Sequence, residues 1–358
     1  MSAALPLNVS VTVTVLPSNR SFTVLADEPI LTAGIRQGVA MPYGCKDGAC
    51  GSCKCKMLEG KVAHGPHQPK ALSAEEEAAG YILTCCGKPL SDIVLESRQV
   101  TSVDAFPIKR MPSRVLSLEK KSHDVMVIQL QLPASDTLQY KAGQYIEFIM
   151  RDGARRSYSM ASAPHIAAEN KTLKLHVRHM PGGKFTDHVF GEMKEKEIQR
   201  IEGPFGSFYL REDSQKPMIL LASGTGFAPI KAIIQHMQFM QKQGITRTAV
   251  LYWGGRRPAD LYMDEWVRAQ LAAMPNLSYV PVVSNAFPED EWAGRTGFVH
   301  QAVMADFPDL SGHQVYACGA PIVVDSAQAD FVKLCKLPED EFYADSFITE
   351  ADKAKVYI

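Results

Sequence analysis

Three cysteines on one short loop, followed by a distant fourth, constrain this chain of 358 residues more than any other feature. Cys45, Cys50 and Cys53 have the spacing C-x4-C-x2-C, and Cys85 follows 32 residues later. This spacing is typical of a plant-type [2Fe–2S] cluster. Because three sulfurs on one loop must converge on two irons, the glycines between them are expected to let the backbone adopt positive φ angles.

A zinc site is the alternative interpretation of these cysteines. Zinc ribbons use two C-x2-C pairs. Here only Cys50 and Cys53 have that spacing, and the other pair is the adjacent Cys85 and Cys86. The pattern therefore favours an iron–sulfur cluster over zinc.

Composition limits the other functions that this chain could have. Its length predicts two or three domains, and a hydrophobic fraction of 46% is enough for packed cores. The net charge of −1, without a long run of charge, argues against nucleic acid as a partner. No apolar run is long enough to insert into a membrane. Eight cysteines without a signal peptide indicate a cytoplasmic protein whose thiols bind metal or react.

Residues 1–102 are predicted to form the first domain. Strand-like runs at Val9–Leu16 and Ser21–Leu25 precede a short helix over residues 29–38 and then the cysteine loop. Ser73 and Glu76 have the spacing of a capping box and predict a helical turn there. The segment ends with the Leu-Thr-Cys sequence that contains Cys85.

This segment resembles plant-type ferredoxins, which have a β-grasp fold. The resemblance implies that the cluster ligands are Cys45, Cys50, Cys53 and Cys85. It favours Cys85 over Cys86 because the family has its fourth cysteine in the same Leu-Thr-Cys context. Cys55 and Cys86 are then expected to be small buried hydrophobic residues.

Residues 103–112 are predicted to be a linker, and residues 113–213 a small antiparallel β-barrel made of short strands. A flavin needs an apolar ring to lie against, a donor near its N5 atom, and donors for its pyrophosphate. Tyr158, Ser159 and Arg156 can supply these three groups in that order. Residues 183–186 open a predicted helix over residues 187–193, whose free N–H groups could hold phosphate oxygens.

Together these motifs resemble the FAD domain of the ferredoxin–NADP reductase family. The resemblance covers three short segments of the barrel. It implies that the residues that bind FAD are Arg156, Ser157, Tyr158, Ser159, His176, Val177, Arg178, Gly183, Lys184, Phe185 and Thr186.

Residues 214–358 are predicted to form an α/β nucleotide domain with a parallel sheet. A buried strand at Met218–Ala222 is followed by a glycine-rich turn and by a helix over residues 230–241, an order that places a pyrophosphate at a helix N-terminus. The turn lacks the third glycine of a Rossmann fingerprint but resembles the Gly-Thr-Gly-x-Ala-Pro of the same reductase family. The residues expected to bind NAD(P)H are Gly224, Thr225, Gly226, Pro229, Arg256, Cys318 and Gly319.

The resemblance also assigns catalytic roles near the end of the chain. Cys318 would lie beside the nicotinamide ring and help to aim it at the flavin. Asp345 and Phe347 resemble the terminal acid-x-aromatic element of the family, and Phe347 would cover the flavin face that nicotinamide must reach. With Ser159, these three residues are the expected catalytic set.

The nucleotide preference depends on the segment after the strand that ends at Trp253. Arg256 and Arg257 would favour the 2′-phosphate of NADPH, whereas a carboxylate such as Asp260 would favour the free 2′-hydroxyl of NADH. The multidomain reductases that the chain resembles usually use NADH. The expectation is therefore NADH, with NADPH possible.

Reduced nicotinamide gives up two electrons together, a [2Fe–2S] cluster accepts one, and flavin can do both. The sequence therefore predicts a reductase that passes electrons from NAD(P)H through FAD and the cluster to an electron-accepting partner protein. The whole chain resembles reductase components of bacterial oxygenases and CDP-6-deoxy-glucoseen reductases, and residues 252–258 and 342–345 are most similar to the second group. The alternatives are a free-standing diaphorase that reduces small acceptors and a non-enzymatic protein with a zinc-bound N-terminal module.

Overall fold

A computed structural model describes residues 10–100 and 106–349 of the chain. These residues form two compact units, and the sequence boundary between them lies after Pro107. Residue Val9 of the first expected strand and residues 103–105 of the expected linker lie outside the described residues.

The first unit is a mixed five-stranded sheet with a helix packed against it. Its strand order is β2-β1-β7-β3-β5, in which β1 and β7 are parallel and the other pairs antiparallel. A second sheet pairs β4 with β6. The elements are β1 (Val11–Leu16), β2 (Arg20–Val24), α1 (Ile30–Arg36), β3 (Lys54–Glu59), β4 (Val62–Ala63), α2 (Ala74–Ala78), β5 (Tyr81–Leu83), β6 (Lys88–Pro89) and β7 (Ile93–Glu96).

The second unit begins with a six-stranded antiparallel sheet of order β11-β10-β13-β8-β9-β12. A bridge between Met160 and Leu175 joins its two edges and closes the sheet into a barrel. Apolar side chains such as Ile146 and Leu173 fill the interior. The elements are β8 (Lys109–Lys120), β9 (Val125–Gln131), β10 (Tyr145–Ile149), β11 (Arg155–Ser159), α3 (Pro164–Asn170), β12 (Thr172–Arg178), α4 (Lys184–Gly191) and β13 (Ile198–Phe205).

The barrel starts earlier than the sequence indicates. Strand β8 begins at Lys109, inside the segment expected to be a linker, and residues 109–112 pair with β13. Proline was the reason to expect a break there. Pro112 pairs with Arg200 on β13, while β9 joins on the other side only from Arg114 onward. Pro112 thus occupies an edge-like position, where its missing N–H costs no ladder hydrogen bond.

The same unit continues into a six-stranded parallel sheet of order β17-β16-β15-β14-β18-β19. The central strands are apolar along their whole length because helices cover both faces of the sheet. The elements are β14 (Met218–Ser223), α5 (Phe227–Lys242), β15 (Ala249–Gly255), α6 (Asp264–Leu271), β16 (Leu277–Val283), β17 (Arg295–Thr296), α7 (Val299–Asp306), β18 (Gln314–Gly319), α8 (Pro321–Leu334) and β19 (Phe342–Ser346).

Helix α5 begins at Phe227, three residues before the start expected from the sequence. Pro229 was expected to precede the helix. It lies instead in the first turn, where a backbone N–H has no intrahelical partner and a proline is tolerated.

The three expected architectures are all confirmed: a β-grasp ferredoxin fold, an antiparallel barrel and a parallel α/β sheet. Within the described ranges, every helix is too short or too polar to cross a bilayer.

The capping box of α2 gives a local test of this fold. The Ser73 hydroxyl accepts a hydrogen bond from the Glu76 amide at 3.2 Å, and the Glu76 carboxylate accepts one from the Ser73 amide at 2.9 Å. Ser73→Ala should destabilise this short helix by about 1 kcal/mol, equivalent to roughly fivefold faster amide hydrogen exchange in α2. Ser73→Thr keeps the hydroxyl and should exchange like the wild type. Equal exchange rates in Ser73→Ala and wild type would show that the cap does not stabilise the helix.

Candidate functional site

The cysteine loop lies between α1 and β3. Its backbone has positive φ angles at Gly48 and Gly51, as expected, but not at Gly44, and also at Lys46, where none was expected. Lys46, Gly48 and Gly51 have φ angles of 68°, 79° and 80°. A Cβ atom on Gly48 would lie 2.9 Å from the carbonyl oxygen of Pro66, so a side chain would not fit there. The glycines therefore allow a tight loop that carries three thiols.

The fourth cysteine is brought to this loop by the residue before it. The backbone N–H and the hydroxyl of Thr84 both donate to the Cys53 carbonyl, at 3.2 and 3.3 Å. Thr84 is completely buried, and Cys53 and Cys85 are buried beside it, whereas Cys45 and Cys50 are half-buried. The Leu-Thr-Cys sequence therefore has a structural role: its threonine anchors the fourth thiol.

The four thiols approach one another in two pairs. A hydrogen bond from Cys45 lowers the pKa of the Cys50 thiol to about 6, and the same contact raises the pKa of Cys45. Cys85 hydrogen-bonds to Cys53 and to Cys86, and these contacts raise its pKa. Across the described ranges, no three His, Cys, Asp or Glu side chains are grouped as a single metal ion requires. A paired arrangement suits a cluster of two irons, each of which takes two thiolates.

The two remaining cysteines of this unit differ from each other. Cys55 lies on β3, is buried as expected, and its burial raises its pKa to about 12. Cys86 is only half-buried, so the expectation of a buried hydrophobic residue is wrong for it. A contact with Cys85 lowers the pKa of Cys86 to about 7.

The expected flavin motif forms strand β11 of the barrel. Along it, Ser157 is exposed, Arg156 and Tyr158 are half-buried, and Ser159 is buried. The Tyr158 ring packs on Phe185 with 5.2 Å between ring centroids. Because Phe185 itself is only 3% exposed, it supports Tyr158 from within the barrel core.

The neighbouring strand β12 carries the expected residues His176, Val177 and Arg178. Val177 is fully buried in the barrel core, so only its backbone is placed to contact a cofactor. Arg178 is half-exposed and forms an ion pair with Asp124 at 2.8 Å. Its guanidinium also lies 3.4 Å from the position that a Cβ atom on Gly224 would occupy. Arg178 thus links the barrel to the glycine-rich turn.

Helix α4 begins directly after Gly183, and no side chain caps its first turn. The Thr186 hydroxyl donates to carbonyl oxygens of the preceding loop, including that of Met180 at 2.9 Å. Lys184 is exposed and forms an ion pair with Asp152 at 3.0 Å. The first turn therefore keeps backbone donors of the kind that hold phosphate oxygens.

The glycine-rich turn lies against the end of strand β18. Gly224 has a φ angle of 54°, and its carbonyl accepts a hydrogen bond from the Trp253 indole at 3.0 Å. A Cβ atom on Gly226 would clash with the carbonyl oxygen of Cys318, and one on Gly319 would clash with that of Ser223. Only glycine at both positions lets these two strand ends approach so closely.

Three of the four expected catalytic residues meet at this point. The Ser159 hydroxyl of the barrel donates to Asp345 Oδ2 at 3.3 Å, and the Cys318 thiol lies 4.0 Å from the same oxygen. All three are nearly or fully buried. Burial, together with the nearby Asp345, raises the pKa of Cys318 well above its ordinary value, so this thiol is neutral at physiological pH. The Phe347 amide donates to the Gly319 carbonyl at 2.8 Å and holds the following segment beside them.

A buried polar contact near this junction was not apparent from the sequence. His176 Nδ1 and the Tyr262 hydroxyl share a hydrogen bond of 2.8 Å between the barrel and the parallel sheet. Burial lowers the pKa of His176 well below its ordinary value, so the ring is neutral. Its Nε2 atom is buried and has no hydrogen-bond partner in the described part of the chain. A buried polar atom without a partner is typical of a site that binds a polar ligand. His176 Nε2 therefore fits a site for a bound cofactor.

The choice between Cys85 and Cys86 can be tested directly. Cys85→Ser should abolish the visible absorption of the [2Fe–2S] cluster, because Thr84 anchors that position beside Cys53. Cys86→Ser should retain the absorption and two irons per chain. Loss of the cluster in Cys86→Ser with retention in Cys85→Ser would reverse the assignment.

The close packing of Gly226 against the Cys318 carbonyl can be tested by adding a methyl group there. Gly226→Ala should displace the turn from Cys318 and slow flavin reduction by NAD(P)H by about ten- to a hundredfold. The matched control is Gly191→Ala at the end of α4, where an added Cβ meets no atom within 4 Å. Stopped-flow flavin absorbance measures the rate. An unchanged rate in Gly226→Ala would show that flavin reduction does not depend on the close packing of Gly226 against the Cys318 carbonyl.

Comparison with known proteins finds a matching family for each of three segments of the chain. Residues 13–90 match a family described as a 2Fe-2S iron-sulfur cluster binding domain. Residues 112–209 match an oxidoreductase FAD-binding domain, and residues 220–329 an oxidoreductase NAD-binding domain.

Similar proteins match the chain almost from end to end. The CDP-6-deoxy-L-threo-D-glycero-4-hexulose-3-dehydrase reductase of Yersinia pseudotuberculosis is 39% identical, with 95% of this chain and 99% of that protein covered. Reductase component 2 of the terephthalate 1,2-dioxygenase of a Comamonas species is 33% identical, with 93% and 96% covered. The crystal structure of the Amycolatopsis cytochrome P450 reductase GcoB is 32% identical, superposes with a TM-score of 0.75, and covers 94% of this chain and 98% of its own. The chain therefore belongs to the family of NAD(P)H-dependent iron–sulfur flavoprotein reductases, which combine a [2Fe–2S] ferredoxin domain with FAD- and NAD-binding domains.

Proposed function

We propose that this reductase delivers single electrons from NAD(P)H to a partner protein and that its partner is a deoxysugar dehydrase or an oxygenase. The observation that carries the proposal is the presence in one chain of a cysteine loop that suits a two-iron cluster and a second unit in which the side chains expected to be catalytic meet. A diaphorase that serves small acceptors needs the second unit but not the first. Similarity to the Yersinia reductase and to oxygenase reductases supports both kinds of partner.

The metal site would be formed by Cys45, Cys50, Cys53 and Cys85. When bound there, the cluster would accept and release one electron at a time. The protein's contribution is to keep the thiols in two pairs and to bury Cys53 and Cys85.

The flavin would lie along β11, with the Tyr158 ring as its apolar neighbour and the first turn of α4 as the site of its pyrophosphate. Bound FAD would accept two electrons from NAD(P)H and pass them on singly. Arg156 is half-buried on the same strand and could add positive charge near the pyrophosphate. His176 Nε2, buried and without a partner in the described residues, would gain a polar neighbour.

The nucleotide would enter at the ends of β14 and β18, where Gly226 and Gly319 let the glycine-rich turn pack closely against the end of β18. Asp345 holds the Ser159 hydroxyl and the Cys318 thiol at one point. As a neutral thiol, Cys318 would act by positioning the nicotinamide and not as a nucleophile. Phe347, fixed through its backbone to Gly319, would cover the flavin until the nucleotide arrives.

A cytoplasmic location also belongs to this proposal. None of the eight cysteines forms a disulfide; four would hold the cluster, and the other four, including the buried Cys318 and Cys335, are free thiols. Unpaired cysteines in such number suit a reducing compartment.

The role of the cluster as the exit for electrons can be tested with Cys50→Ser. This variant should reduce ferricyanide with NADH at the wild-type rate, because the reductase unit is intact, but should lose nearly all reduction of cytochrome c and of the partner protein. The control is Cys335→Ala, which removes a buried thiol from the other unit. Wild-type cytochrome c reduction by Cys50→Ser would instead favour the free-standing diaphorase. Assays with a purified dehydrase and a purified oxygenase component then distinguish the two partner classes.

A further inference from the structure

Helix α5 carries a buried lysine close to the barrel. Lys231 lies in the second turn of this helix and is only 4% exposed. In the part of the chain that the structure describes, it forms no ion pair with a carboxylate. Burial, with a smaller contribution from Lys174, lowers the pKa of Lys231 to about 7. Because burying an amine without an acidic partner costs free energy that an apolar side chain would avoid, a role beyond packing is expected for this residue.

The amino group of Lys231 has two partners. Its Nζ atom donates to the carbonyl of Ala161 at 3.0 Å, in the segment that follows strand β11 of the barrel. The same atom lies 4.8 Å from the centroid of the Trp266 ring on α6, within the range of a cation–π contact. Lys231 thus joins the segment after β11 to two helices that pack on the parallel sheet.

Two further contacts follow along the same face of α5. Gln235 Oε1 accepts the backbone N–H of Ala163 at 3.1 Å, and the Phe239 ring stacks on His165 with 4.3 Å between ring centroids. Four helical residues span about 6 Å and two extended residues about 6.6 Å, so the first two contacts can form side by side. We call these contacts the clasp, which joins residues 231, 235 and 239 of α5 to residues 161, 163 and 165.

The clasp is connected to the point where Ser159 meets Asp345. Ser159 lies two residues before Ala161, and its hydroxyl donates to Asp345 Oδ2 on β19 at 3.3 Å. Helix α5 packs on β18, which pairs with β19. A closed path of contacts therefore runs from Ser159 through the clasp, α5 and β18 to Asp345. Since 3.3 Å is longer than an ordinary O–H···O contact of about 2.7 Å, a small shift of the segment after β11 would break this hydrogen bond.

We propose that Lys231 is a positioning residue for the reduction of flavin by NAD(P)H, because through the clasp it keeps the Ser159 hydroxyl on Asp345. The proposal deepens the proposed function and rests on it for the role of Ser159. Lys231 can do what an apolar residue cannot, since it donates to a backbone carbonyl while the Trp266 ring stabilises its charge. A displacement of about 1 Å in a reacting geometry can slow a reaction by about a hundredfold.

The kinetic test compares Lys231→Met with wild type and with Lys242→Met, which changes an exposed lysine at the end of the same helix. In anaerobic stopped-flow experiments, Lys231→Met should lower the limiting rate of flavin reduction by about tenfold and change the dissociation constant of NADH by less than about twofold. Lys242→Met should match the wild type. A wild-type limiting rate in Lys231→Met would overturn the proposal.

Gln235→Leu tests the clasp without removing a buried amine. This variant loses the neighbouring contact to the Ala163 amide, so it should slow flavin reduction by about threefold or more. Gln235→Glu keeps an acceptor oxygen at the same place and should recover most of the rate. Equal wild-type rates in Gln235→Leu and Gln235→Glu would show that the clasp does not position Ser159.

A double-mutant cycle tests whether Lys231 acts through Ser159. If it does, Lys231→Met should slow flavin reduction by about tenfold in the wild-type background but by less than about twofold in Ser159→Ala, where the hydroxyl is already absent. A role in packing alone would give the same factor in both backgrounds. That result would refute the proposal.

Hydrogen exchange gives a readout that does not depend on turnover. In the full-length holoprotein, the amides of residues 159–165 should exchange at least about threefold faster in Lys231→Met than in wild type or Lys242→Met. Unchanged exchange would contradict the proposal, because Lys231 would then not hold this segment. If NADH does not reduce the flavin of the wild-type protein but exchange depends on Lys231, the proposed function fails while the clasp stands.

Discussion

The reductase unit depends on the close contact between two strand ends. Gly226 lies so near the Cys318 carbonyl, and Gly319 so near that of Ser223, that a single methyl group at either position would push the strands apart. This contact fixes where the glycine-rich turn begins and where the Cys318 thiol lies. Since Cys318 and Asp345 share a register on neighbouring parallel strands, the same contact also fixes the carboxylate.

The barrel is attached to this junction by buried polar contacts. The Ser159 hydroxyl donates a hydrogen bond to Asp345, and His176 shares a hydrogen bond with the Tyr262 hydroxyl. Burial keeps the His176 ring and the Tyr262 phenol neutral, because it lowers the pKa of the first and raises that of the second. In a site with little water, neutral donors and acceptors give directional contacts without the cost of burying unpaired charge. In the proposed function these contacts would orient the bound cofactors.

Local sequence predicted some parts of this molecule and not others. The cysteine spacing and the Leu-Thr-Cys segment indicated the cluster site, because most of its ligands lie on one loop. The meeting of Ser159 with Asp345, 186 residues apart, was expected only as two separate family motifs. Nothing in the sequence indicated that Tyr262 contacts His176, because only the tertiary fold brings these two residues together. The ion pair of Arg257 with Asp290, at 2.9 Å between two distant segments, was hidden for the same reason.

We propose that the Asp345 carboxylate organises the point at which electrons enter the protein. Anaerobic single-turnover reduction of Asp345→Asn by saturating NADH, followed at flavin and iron–sulfur wavelengths, measures its effect. We expect flavin reduction to slow by about tenfold or more, since Ser159 and Cys318 lose the carboxylate that they share, while FAD and iron contents stay at wild-type levels. Flavin reduction at the wild-type rate in this variant would show that Asp345 does not have this role.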